Sequence, residues 1–120
     1  MTASDTPSTS TVRALVRTLL QQQAFAGRDE LLAQVDGVEY EDGPLTMMRL
    51  RVSSEFPASQ GVRSPVPNSP TVVDHDGHAI GMLLLWLDDS GNIDCLEYAW
   101  VTDETPTRLP DPNRLVTWKV

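Results

Sequence analysis

The chain has a single cysteine, Cys95, among its 120 residues. No internal disulfide can form, so a packed core must hold the fold, and a reducing cytoplasm is the expected compartment. Long apolar runs are also missing. The longest unbroken one, Met82 to Leu87, is too short to cross a bilayer. The opening residues, MTASDTPSTSTV, have neither the basic start nor the apolar stretch of a signal peptide. There is no phosphate-binding glycine loop, no G-x-S-x-G and no H-E-x-x-H, so no cofactor is expected. Basic residues are scarce: nine Lys and Arg stand against seventeen Asp and Glu, for a net charge of -8. That balance excludes nucleic acid as a ligand, because phosphate binding needs clustered cations. It favours a basic partner instead.

What is present suits a folded domain. Hydrophobic residues make up 40% and charged residues 22%, both ordinary for one core. Residues 1–10 are almost free of apolar side chains and read as a disordered tail, with residues 11–120 as one domain. Ser10 or Thr11 reads as an N-cap. Val12, Leu15, Val16, Leu19 and Leu20 then form one apolar stripe at helical spacing, with Gly27 as its stop. A second, shorter helix is predicted from about Asp29 to Gln34. Two strands follow around Glu41-Asp42-Gly43-Pro44, with Met48, Leu50 and Val52 facing inward and Met47, Arg49 and Arg51 outward. Residues 53–70 hold four of the nine prolines and read as an exposed loop, with a short edge strand conceivable near Val62 or Val66. The last six residues, LVTWKV, fit either a final edge strand anchored by Trp118 or a frayed tail.

The stretch 71–102 is the centre of the design. It reads as a three-stranded antiparallel meander with turns at Asp76-Gly77 and at Asp88 to Asn92. A regular ladder from Leu87 opposite Ile93 puts Leu84, Trp86, Leu96, Tyr98 and Trp100 on one face. It puts Leu83, Leu85, Cys95, Glu97 and Ala99 on the other. Both faces are then apolar, so the middle strand is expected to be covered on both sides. The predicted fold class is α+β: one or two N-terminal helices on a twisted antiparallel sheet of five to six strands.

Several residues in the meander carry candidate chemistry. Asp74-His75-Asp76-Gly77-His78 offers metal-ligand types, but a polar hairpin tip explains them more simply. Cys95 reads as a small buried hydrophobe ahead of a nucleophile. Glu97 interrupts an apolar face. It is either an acid or base in a pocket or, more plainly, the partner of Arg49 or Arg51. Asp88, Asp89, Asn92 and Asp94 resemble a calcium loop without its closing glutamate, and a turn is the better reading.

The charge distribution is the sharpest signal. Eight acids and no Lys or Arg lie between Ser64 and Thr107, while outside that window acids and bases balance at nine each. Such a surplus either solubilises an apolar sheet or steers a basic partner onto it. The residues expected to meet that partner are Asp88, Asp89, Asp94, Glu97, Trp100, Asp103 and Glu104.

The run Ala24 to Val35, Asp74 to Gly77, Leu83-Leu84-Leu85-Trp86 and Leu96-Glu97-Tyr98 together resemble a family of small uncharacterised bacterial α+β proteins. The segment TDETPTRLPDP is similar to its actinobacterial members. Small acidic proteins of this kind are often immunity proteins paired with toxins, and the resemblance implies that role without assigning a residue to it. The expected function is therefore a non-enzymatic protein-binding module, an immunity-type inhibitor covering a basic toxin surface. Self-association through an uncovered apolar face is the alternative, as monomer or homodimer. A third reading is an enzyme or metal binder using Glu97, His75 and His78.

Overall fold

The computed structural model describes residues 7–117. Two helices, α1 (Thr9–Gln21) and α2 (Arg28–Gln34), lead through a 3-10 turn at Val35–Gly37 into six strands. These are β1 (Val38–Asp42), β2 (Met47–Val52), β3 (Thr71–Val73), β4 (Ala79–Leu87), β5 (Ile93–Trp100) and β6 (Leu115–Val116). They form one sheet in the order β1-β2-β5-β4-β3-β6. Every neighbouring pair is antiparallel. The α+β class and the strand number are as expected.

The helix stripe is real: Val12, Leu15, Val16, Leu19 and Leu20 are all buried. The helix boundaries move. Ser8 is the N-cap, its Oγ accepting from Thr11 N at 3.1 Å, so helix replaces the last part of the expected 1–10 tail. The rest of that tail, residues 1–6, lies outside the described residues, as does Trp118. Gly27 does not end α1. It precedes α2 with φ 94°, a left-handed conformation that favours glycine, and its missing side chain makes room for Val62. Arg17 pairs with Asp36 at 2.7 Å and Arg13 Nε donates to Val38 O at 2.8 Å, so the basic face of α1 ties the helix to the chain that follows α2.

The proline-rich segment 53–70 is not a free loop. Phe56 packs on Gly37, Val66 is buried, and Val66 N donates to Leu85 O at 2.8 Å. Leu83 N donates to Pro70 O, and Ser64 Oγ accepts from Leu87 N. β3 pairs only with the first half of β4, so this segment satisfies backbone groups along the second half. An edge that would otherwise invite pairing is thereby covered without a regular strand, which the prolines would forbid.

The largest departure from expectation lies in β5. Leu87 does sit opposite Ile93, but Trp86 pairs with Cys95, Leu85 with Leu96, Leu84 with Glu97 and Leu83 with Tyr98. Asp94 is an extra residue, a bulge. Strand side chains alternate with period two, so one inserted residue moves the rest of β5 to the other face. Leu96 and Tyr98 therefore join Leu83 and Leu85 in the core, with Met48, Leu50, Val38 and Val72. Cys95, Glu97 and Ala99 turn outward. The helices lie against one face of β4, and among the described residues no helix or strand lies over the other, so the expected cover of that second face falls to a loop or a partner.

Candidate functional site

The uncovered face is built from three rows that follow from the pairing of β2, β5 and β4. Arg49, Cys95 and Trp86 form the first row. Met47, Glu97 and Leu84 form the second, and Ala99 and Met82 the third, joined by Thr71 of β3. Met47 is 46% and Met82 38% exposed, two of the four exposed large hydrophobics among the described residues. The patch is apolar and contiguous, the kind of surface that marks an interaction site.

Glu97 stands at its centre. The expected pairing with Arg49 or Arg51 does not occur. Arg49 is held by Asp42 at 3.2 Å, and Arg51 by Glu39 at 3.5 Å and Glu41 at 4.0 Å. These pairs face each other across β1 and β2, where the register puts opposite charges directly opposed. Glu97 instead accepts a hydrogen bond from Trp86 Nε1 at 3.0 Å through Oε1. Among the described residues no cation lies within ion-pair distance of it. The outer face thus has two zones: a laced charge ladder on β1 and β2, and an apolar zone on β5 and β4 with one carboxylate in its middle.

Cys95 lies beside Met47, Sγ to Sδ 3.4 Å. Burial pushes its thiol up, and the neighbouring Asp94 and Glu97 push it further, against the opposing pull of Arg49. A thiol held protonated is a poor nucleophile. A shallow cleft of about 250 Å³ beside it is lined by Asp42, Gly43, Met47, Arg49, Asp94 and Cys95. Glu97 itself does not line that cleft.

The expected partner-binding residues do not form one patch. β4 spans nine residues, roughly 26–30 Å at the strand rise. Asp88 and Asp89 lie beyond its far end, close to Asp94. Asp103 and Glu104 follow Trp100, which pairs with Gly81 near the beginning of β4. They therefore belong to the other end, with Asp74 and Asp76. Trp100 follows Leu96 and Tyr98 onto the helix side of the sheet and is 38% exposed there. Only Glu97 lies between the two acidic ends on the open face. The base-free sequence window is also not base-free in space. Arg49 and Arg51 share a cleft of about 200 Å³ with Asp88, Asn92, Asp94 and Glu41.

Both hairpin ends of β4 use one construction. Asp74 N donates to His78 O and Gly77 N to Asp74 O. Likewise Asp88 N donates to Asn92 O and Gly91 N to Asp88 O. Asp74 Oδ1 accepts from the backbone N of Asp76 and His78, and Asp88 Oδ1 from Ser90 and Asn92, each bond 2.9 Å. The first turn is therefore a wider loop with Gly77 at φ 85°, in place of the two-residue turn expected at Asp76-Gly77. The hydrogen bond from His78 N, more than any other influence, holds the Asp74 carboxyl below the usual aspartate range. Asp74, Asp76 and His78 bring one donor each within 4.8 Å. Asp74 already spends one oxygen on the turn, and the second turn shows that Ser90 and Asn92 serve the same backbone geometry. His75 stays on the exposed tip, 3.4 Å from Asp76.

One structural residue was not singled out by the sequence pattern. Gln34, fully buried, donates through Nε2 to Pro57 O at 2.8 Å and to Gly91 O at 3.1 Å. Its Oε1 accepts from Ile93 N at 2.8 Å. Ile93 begins the bulge, so Gln34 satisfies the donor that the irregular ladder leaves over. The one available signal was a glutamine on the inner side of a helix beside Leu31. No helix among the described residues is long and apolar enough to cross a membrane. No protein-family model matches the chain, and neither does any curated protein or solved structure.

Proposed function

We propose that this chain is a non-enzymatic protein-binding module whose open sheet face seats a basic partner. The observation that supports it is the apolar zone of exposed Met47 and Met82 with half-buried Leu84, Trp86 and Ala99. Such a face buries favourably, and the net charge of -8 favours a positively charged visitor. An immunity-type inhibitor that masks a basic toxin is the form of this function suggested by the sequence resemblance.

Affinity capture from the native host tests the reading, with the wild-type chain beside a Met82→Asp, Leu84→Asp variant shown to be folded by circular dichroism. The expected result is a basic protein retained by the wild type, lost with the variant and weakened by raised salt. Equal capture by both chains sinks the docking face, and capture indifferent to salt sinks the basic partner. Self-association is the second reading, favoured by the exposed methionines. Sedimentation showing a concentration-dependent dimer that the same variant abolishes would replace the first reading with it.

A further inference from the structure

The Glu97 carboxylate has one oxygen held by the Trp86 indole and lies among Met47, Leu84, Cys95 and Ala99. While the face is wet, water serves the other oxygen. Any partner that covers the apolar zone removes that water. A carboxylate shut into an apolar interface without a cation costs several kcal/mol. Arg49 pairs with Asp42 and Arg51 with Glu39 and Glu41, and among the described residues no cation lies within ion-pair distance of Glu97. A cation brought by the partner fills that place.

Resting on the docking reading above, we infer that Glu97 is the receptor for an arginine side chain presented from an otherwise apolar patch of the partner. Two features favour a guanidinium. It is weakly hydrated and so is readily buried, and its planar fork can meet the free carboxylate oxygen while lying against the Trp86 ring. Charge complementarity selects this occupant over a second copy of the chain, which also carries -8. The socket also accounts for a carboxylate standing alone in the middle of an exposed apolar zone, where leucine or valine would give the fold more.

The test selects binders against the full chain from a display library of a small domain randomised on one surface. Binders on the open face are recognised by the shift they cause in the Trp86 indole N–H signal. The expected result is that these binders carry an arginine. Its replacement by glutamine and the Glu97→Gln change each weaken binding 10- to 100-fold, and together weaken it little more than either alone. Glu97→Gln keeps the acceptor for Trp86, so the melting temperature stays put. Glu97→Leu weakens binding as well. Face binders without a cation, indifferent to Glu97→Gln and improved by Glu97→Leu, overturn the arginine socket and leave the docking face standing. If no binder moves the Trp86 signal, the docking face fails and the socket with it. A wild-type dimer that Arg49→Gln and Glu97→Gln each abolish overturns the inference in favour of self-association.

Discussion

Replacing Gln34 by leucine tests the link between the core and the open face. Leucine has nearly the volume of glutamine, so little cavity forms, and the change isolates the hydrogen bonds. Gly91 O keeps its bonds from Ser59 N at 3.0 Å and Ser59 Oγ at 2.9 Å. Pro57 O and Ile93 N lose the partner that Gln34 gave them. A buried backbone group left without a partner costs about 1–3 kcal/mol; Pro57 is exposed and its carbonyl can turn to water, so Ile93 N sets the expected loss at about 1–3 kcal/mol. For a domain of this size that lowers the melting temperature by roughly 6–10 °C at the middle of the range. Urea and thermal unfolding followed by far-ultraviolet circular dichroism measure it, and the Ile93 amide should lose exchange protection. Gln34→Glu makes the same site sensitive to pH. Its new carboxyl keeps the acceptor for Ile93 N but as a carboxylate meets the carbonyls of Pro57 and Gly91, so its folded pKa rises. The protonated form is favoured, and the variant regains stability below the unfolded pKa and loses it as pH climbs through the folded one. A Gln34→Leu chain within 0.5 kcal/mol of wild type would refute the argument that this side chain secures the bulge.

Other consequences follow from the turns and the thiol. Asp88→Ala removes the acceptor of two backbone N–H groups at an exposed turn and should cost about 1–2 kcal/mol in urea unfolding, while Asp88→Asn, which keeps Oδ1, should cost less than half of that. The depressed pKa of Asp74 gives its hairpin a contribution that is complete above the usual aspartate range and lost as pH falls through the folded value. The protection of the His78 amide, its exchange rate against the intrinsic rate at the same pH, should therefore fall in acid in the wild type and lose that dependence in Asp74→Asn. Cys95 should react with iodoacetamide more slowly than free cysteine at pH 8, and Glu97→Gln should speed it, because one of the carboxylates that raise its pKa is removed; a rate equal to that of free cysteine contradicts the assignment. Gly81→Ala should destabilise strongly in the same unfolding assay, since a methyl there meets the Ala99 carbonyl and the Tyr98 ring at 2.7 Å.

Much of the fold was legible because period and punctuation are local. The stripe on α1, the alternation of Met48 and Leu50 against Arg49 and Arg51, and Gly77 at a turn each follow from residues a few positions apart. The β5 register was not legible. Both faces of the meander are apolar, so alternation offered no preference between a regular ladder and one slipped by a bulge at Asp94. The candidate site inherited that ambiguity, since the slip decides whether Glu97 faces the helices or solvent.

By itself, then, the sequence determined an α+β chain with an acidic surplus between Ser64 and Thr107, no disulfide, and a meander too apolar to be wholly exposed. These are sums and local patterns, and they need no coordinates. Only the tertiary structure decided where the charge and the apolar surface lie. The sheet order sets β2 beside β5, which brings Arg49 and Arg51 to the far acidic turn. The length of β4 parts the acids into two ends. Gln34, reaching from α2 to Ile93, secures the one-residue bulge that turns Glu97 outward. Each of these depends on contacts between residues distant in sequence, where a single inserted residue reverses a face.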